Sequence, residues 1–162
     1  MTIYVTSDTH FGHGNIIEYC KRPFVSAAEM DEFMVQAWNE VVKPSDHVYH
    51  LGDVAMRKQD LSIVRRLNGH KRLVFGNHDI FEAKHYIAAG FEKVMGMRVL
   101  DGLLFTHIPV HPGSMGRFRA NVHGHVHQST ALTLPYINVC VEVTNYAPVA
   151  LDVVSQQARE AA

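Results

Sequence analysis

Five short segments of the chain concentrate Asp, Asn and His: Asp8-Thr9-His10, Gly52-Asp53, Gly76-Asn77-His78-Asp79, His107 and His123-Gly124-His125-Val126-His127. Imidazole, carboxylate and amide oxygen together suit borderline or harder divalent ions such as Mn, Fe, Zn, Ni or Co. No cysteine belongs to the set, which disfavours a structural zinc site. Asp8, His10, Asp53, Asn77, His107, His125 and His127 are more donors than one ion needs, enough for two adjacent sites. Two ions ~3.5–4 Å apart clamp the attacking and leaving oxygens of a phosphoester, so such a pair is a hydrolytic device. Any one segment alone reads as solvated loop; five in equivalent positions are the signal.

Each segment follows a run that reads as a strand. Thr2 to Ser7 is β-branched and aromatic and leads into Asp8. Asp46 to Leu51 leads into Gly52-Asp53, Lys71 to Phe75 into Gly76-Asn77, and Leu103 to Thr106 into His107. Ala120 to Val126 carries the last histidines. In open α/β sheets ligands bind at the carboxyl ends of strands. Between the early strands lie helical patterns. Ser26-Ala27-Ala28-Glu29 is a capping box opening a helix with Met30, Phe33, Met34, Ala37, Trp38 and Val41 inward, closed by Pro44. Asp60 to Leu67 and Phe81 to Ala89 read as shorter helices. Lys93 to Leu100 and Ile137 to Val143 read as further strands, and Asp101-Gly102 as a hairpin turn. The expectation is a layered α/β domain with helices over mixed sheets, one domain over residues 1–162.

Composition narrows the function classes. Lys and Arg number 15 against 16 Asp and Glu, so no basic face for long duplex nucleic acid is expected. Two cysteines, Cys20 and Cys140, make no disulfide framework; they read as small buried or part-buried residues of a protein in a reducing compartment. The apolar runs are too short to span a bilayer, and Asp8 comes too early for a signal peptide. The reading is cytoplasmic, with no membrane partner. Histidine is the anomaly, at 12 of 162 residues, and metal or proton chemistry explains that abundance.

The ordered set Asp8-x-His10, Gly52-Asp53, Gly76-Asn77-His78-Asp79, His107 and Gly124-His125-Val126-His127 resembles the calcineurin-like metallophosphoesterase superfamily, and is similar to its compact bacterial or phage-type members. The resemblance implies a four-layer α/β/β/α sandwich with mixed sheets. It implies that Asp8, His10 and His127 hold one divalent ion, that Asn77, His107 and His125 hold a second, and that Asp53 bridges them. It implies that a hydroxide between the ions attacks phosphorus while His78, not a ligand, faces the phosphate and protonates the leaving group or steadies the transition state. Asp79 orders the loop locally. The protein Ser/Thr phosphatases of this superfamily follow Gly-Asp with an Asp-Arg signature; here Gly52-Asp53 continues as Val54-Ala55-Met56-Arg57, which argues against that branch.

The remaining polar residues are assigned more loosely. His13 is placed by the metals on even terms with plain loop, and His111 and His123 in the surrounding shell, His123 because strand alternation puts it on the face of His125 and His127. His47, His50, His70 and His85 need no chemistry. Arg117 and Arg119, or Lys21-Arg22, are the cations available to grip a phosphate. The function expected is hydrolysis of phosphodiesters or small phosphoesters, nucleotides included. The alternatives are a non-catalytic scaffold on the same fold and a metal-storage protein, neither of which needs His78.

Overall fold

The first strand runs over Ile3–Thr6, inside the β-branched run that predicts it, and takes an inner position in the larger of two sheets. The computed structural model describes residues 1–129 and 131–160; residues 130 and 161–162 of the expected domain lie outside them. The strands are β1 (Ile3–Thr6), β2 (His47–His50), β3 (His70–Val74), β4 (Phe91–Met95), β5 (Arg98–Leu100), β6 (Leu103–Phe105), β7 (Ala120–His123), β8 (Tyr136–Asn138) and β9 (Val149–Ala150). The helices are α1 (Asn15–Tyr19), α2 (Ala27–Val41), α3 (Ala83–Ala89) and α4 (Leu151–Glu160). One sheet has the order β4-β3-β2-β1-β9, parallel except for β9; the other has the order β5-β6-β7-β8, with β5 antiparallel to β6 and the rest parallel.

The two sheets stack through Val5, Tyr49, Leu51 and Val74 on one side and Leu103, Phe105, Val122 and Ile137 on the other. Leu151, Val154 and Ala158 bring α4 into the same core, against β1 and β9 of one sheet and β8 of the other. Met30, Met34, Val35 and Trp38 of α2 cover the outer face of the larger sheet with Leu61, Val64 and Tyr86. This is the layered α/β architecture with two mixed sheets that the sequence predicts. No helix among the described residues is long and apolar enough to cross a membrane.

Ser26 caps α2 as its sequence predicts: its Oγ accepts the Glu29 N–H at 3.2 Å, while Glu29 reaches one residue further back, to the Val25 N–H at 2.7 Å. Several elements differ from expectation. Lys93 to Leu100 is not one strand: Gly96 and Met97 break it, and its halves enter different sheets as β4 and β5. The short helix expected over Asp60 to Leu67 is a 3₁₀ helix over Lys58–Arg66. Strand β7 stops at His123, and Ile137 to Val143 is β8 followed by a 3₁₀ turn at Val141–Val143. Phe33 is 47% exposed instead of core, its ring lying over Phe24 and Tyr146.

Candidate dinuclear metal centre

The loops that carry the candidate ligands are zipped to one another beyond the strands. The Asp8 N–H donates to the Gly52 carbonyl at 3.0 Å, His10 N–H to Asp53 O at 3.0 Å and Phe11 N–H to Val54 O at 2.8 Å. Gly124 N–H donates to His107 O at 2.9 Å, and His125 N–H to Asp8 Oδ2 at 2.9 Å. Five of the seven ligand candidates, Asp8, His10, Asp53, His125 and His127, have positive φ between 49° and 70°. That region costs a non-glycine residue roughly 1–3 kcal/mol and is retained where the surroundings over-determine it, typically at functional sites. Glycine is needed at 124 for another reason: a Cβ there would collide with Ser7 Oγ and Asp8 Oδ2.

The donors fall into two groups. Asp8, His10 and His127 offer ligand atoms within 4.8 Å of one another, and so do Asp53, His107 and His125. Asp53 joins the groups, because its Oδ2 lies 3.5 Å from His10 Nε2 and 3.4 Å from His107 Nε2. Asn77 Oδ1 lies 2.9 Å from His107 Nε2 and so sits with the second group.

These atoms fit divalent cations. Among the described residues neither ring nitrogen of His10 has a hydrogen-bond partner although the residue is 1% exposed, and Asp8 Oδ1 is an orphan on a residue that is 0% exposed. Buried polar atoms without partners are costly and need an explanation such as an ion. His107 Nδ1 lies 2.7 Å from the Leu51 carbonyl, which can only accept, so Nδ1 carries a proton and Nε2 points at Asp53 and Asn77. Burial lowers the affinity of His107 for a second proton, but Asp53, Asp8 and the Leu51 carbonyl outweigh it and hold its pKa above the ordinary value. The same negative surroundings favour a cation. Burial raises the Asp8 and Asp53 carboxyls, yet His10 and His107 beside Asp8, and His107 with the His78 N–H beside Asp53, hold both below the usual range. Both are anionic at neutral pH.

His78 is exposed; its N–H donates to Asp53 Oδ1 at 2.9 Å and its ring lies 5.5 Å from that of His10. The ring thus borders the ligand groups without belonging to either. His13 stands on another side of His10, also 5.5 Å between ring centroids, with Tyr19 edge-on. Asp79 is buried and organises both loops: Oδ2 accepts from Asp53 N–H and Gly76 N–H, each at 2.8 Å, and Oδ1 from Val54 N–H at 3.1 Å.

Other expected residues stand elsewhere. Arg119 is a correction: its Nη2 donates to the Asp101 carbonyl at the hairpin before β6, the end of the sheet opposite His107. Arg117 lies over the Phe118 ring in the same segment, and among the described residues neither arginine is hydrogen-bonded to a candidate ligand. His111 accepts the Gly113 N–H and caps the turn Pro112–Ser114. His123 does not share a face with His125 and His127, because the strand alternation ends at His123; it is buried beside Tyr136 with Nδ1 on the Gly124 carbonyl. His50 has a structural task that its sequence context does not signal: it positions the site. Its Nδ1 accepts the Gly52 N–H at 3.2 Å, so Nε2 donates to Thr9 Oγ1, which donates to Val54 O. Burial pushes its pKa down to about 3, so it stays neutral.

Arg22 and Glu142 form the support that sequence reasoning missed. Arg22 is 3% exposed and unavailable to a substrate. Its Nη2 donates to the Asp8 carbonyl at 2.7 Å, its Nη1 to Thr9 O at 3.0 Å, and Nε and Nη2 to Glu142 Oε1 at 2.9 and 2.6 Å. The same Oε1 accepts from His127 Nδ1 at 2.9 Å, which turns Nε2 toward Asp8. The two residues are 120 positions apart, and no local pattern links them. Glu142→Gln is expected to weaken metal binding at the Asp8 group by roughly 10–100-fold, the usual loss when a ligand's hydrogen-bond partner is altered. Calorimetric metal titration checks this; an unchanged affinity would remove Glu142 from the site's support.

A family model described as "Calcineurin-like phosphoesterase superfamily domain" matches residues 1–141. An uncharacterized protein from Methanocaldococcus jannaschii, MJ1445, is 36% identical, over 94% of this chain and 88% of its own length. The Gene 66 protein of Mycobacterium phage L5 is 28% identical over 83% of this chain and 63% of its own. Among solved structures, a protein of unknown function from Aquifex aeolicus, AQ665, superposes with a TM-score of 0.74 at 27% identity, covering 96% of this chain and 98% of that one. The nuclease MPE of Pseudomonas putida superposes with a TM-score of 0.54 at 20% identity over 77% of this chain and 61% of that one, a likeness of fold.

Proposed function

Because the chain belongs to the calcineurin-like phosphoesterase superfamily, we propose that this metal-dependent phosphoesterase is a dinuclear hydrolase acting on phosphodiesters. The observation that carries this reading is the position of Asp53 Oδ2 between His10 Nε2 and His107 Nε2, 3.5 and 3.4 Å away. A carboxylate shared by two donor groups is what two closely spaced cations require to offset their repulsion. Asp8, His10 and His127 would hold one ion, Asn77, His107 and His125 the other. Divalent ions bound there supply Lewis acidity and bring the pKa of water down toward about 7.

The chain's own residues supply the rest. Asp79 and His50 fix the loops that aim Asp53, and Glu142 holds His127 Nδ1–H so that Nε2 faces inward. The His78 imidazole, exposed beside His10, donates a proton to the departing oxygen of the ester, a step worth about 10²–10⁴-fold. Asn77, His78 and His125 are all exposed, so a phosphate with substituents on both sides can approach without being enclosed. That favours diesters over monoesters, with small phosphoesters or nucleotides as substrates.

The test is turnover of bis-p-nitrophenyl phosphate and p-nitrophenyl phosphate with added Mn²⁺, before and after chelation. The diester is expected to be cleaved at least about tenfold faster than the monoester, and chelation to abolish both. Full activity after exhaustive metal removal would contradict the reading.

A further inference from the structure

Away from the ligand groups, Tyr49, Arg72, Lys93 and Arg98 line a pocket of about 220 Å³ together with Met95. It opens between the two sheets, at the edge where β4 leaves one and β5 enters the other. Tyr49, Arg72 and Lys93 occupy one cross-strand row, paired Tyr49 with Arg72 and Arg72 with Lys93. Two cations directly opposite in a sheet are destabilising. The register makes this arrangement more pointed. Lys71 pairs with Phe91 but Arg72 pairs with Lys93, so Glu92 is the extra residue of a β-bulge. A regular ladder would set Glu92, the stabilising partner, opposite Arg72. Instead Glu92 lies at the rim, with Oε1 2.5 Å from His70 Nδ1 and Oε2 3.9 Å from Arg72 Nη2. The Arg72 guanidinium is held over the Tyr49 ring at 5.5 Å. Arg98, opposite Phe105, completes the set from the other sheet.

This pocket adjoins the metal-bearing end. Met95 lines it, while the next residue, Gly96, lines a second cleft with Phe75, Gly76, Asn77 and His107. Arg72 and Gly76 are four residues apart along one extended segment, roughly 13 Å at about 3.3 Å per residue. One phosphate cannot occupy both places, but two phosphates of one strand can. The chain's near-neutral charge provides no basic stripe for a duplex. We infer that Arg72, Lys93 and Arg98 form a subsite for a second, unreacting phosphate of a single-stranded nucleic acid whose scissile phosphate lies at the metal centre. The inference deepens the phosphodiester reading above and rests on it for the fate of the strand.

The test is binding of a fluorescently labelled ten-nucleotide single strand to the protein without added metal, followed by anisotropy. Lys93→Gln with Arg98→Gln, both exposed positions, is compared with Lys58→Gln and Arg65→Gln, which remove equal charge from the outer, helix-covered face. The first pair is expected to weaken binding about tenfold and to flatten the logarithmic salt dependence by about 0.7 for each phosphate no longer neutralised. The second pair is expected to stay within about twofold of wild type. Equal weakening in both pairs, none in the first, or no strand binding by wild type would overturn the subsite. Wild type that binds the strand through this pocket yet hydrolyses no phosphodiester with Mn²⁺ would overturn the hydrolytic reading instead.

Discussion

Asp53→Asn is expected to fold normally and to lose at least about 10³-fold in phosphodiester turnover, about 4 kcal/mol of transition-state stabilisation. Asparagine keeps an oxygen at the Oδ1 position, where Asp53 accepts the His78 N–H at 2.9 Å, and the backbone bonds to Asp79 do not involve the side chain. What disappears is the negative charge shared by the His10 and His107 sides. One ion should then dissociate far more readily than the other, so metal content drops from two toward one per chain. Turnover with bis-p-nitrophenyl phosphate and metal content measured on the same sample check both halves. A variant with full turnover would remove the bridging carboxylate from the account.

His78→Ala separates proton donation from metal binding. The His78 ring is exposed and makes no hydrogen bond among the described residues, so its loss should change stability by no more than about 0.5 kcal/mol. Metal content should be unchanged. Turnover of a diester with an alkoxide leaving group should fall about 10²–10⁴-fold. Bis-p-nitrophenyl phosphate, whose leaving group departs without help from an acid, should lose much less. A scaffold or storage protein would show no such contrast between leaving groups. Equal losses on both substrates would mean that His78 positions the phosphate and does not protonate the ester oxygen.

The candidate ligand residues are legible in the sequence because each stands just past a strand with a strong β pattern, and parallel strands place such ends together. The capping box at Ser26 and the turn at Asp101-Gly102 are legible for similarly local reasons. The β4–β5 break is not, because Lys93 to Leu100 has one texture and only sheet pairing decides which half goes where. Helix α4 escapes the sequence reading, although Leu151, Val154 and Ala158 have helical spacing. Arg22 and Glu142 illustrate a harder limit. Their ion pair is buried and spans 120 positions, so a single sequence offers Arg22 only as a loose cation and Glu142 only as one residue of the strand-like run Ile137 to Val143. His123 fails in the opposite way: alternation does not continue past the strand's end, into loops where His125 and His127 take positive φ.

The most direct measurement is anomalous diffraction from crystals grown with Mn²⁺. Two peaks are expected ~3.5–4 Å apart, with Asp53 between them, one flanked by Asp8, His10 and His127 and the other by Asn77, His107 and His125. A single peak, or two peaks that do not share Asp53, would contradict the dinuclear centre.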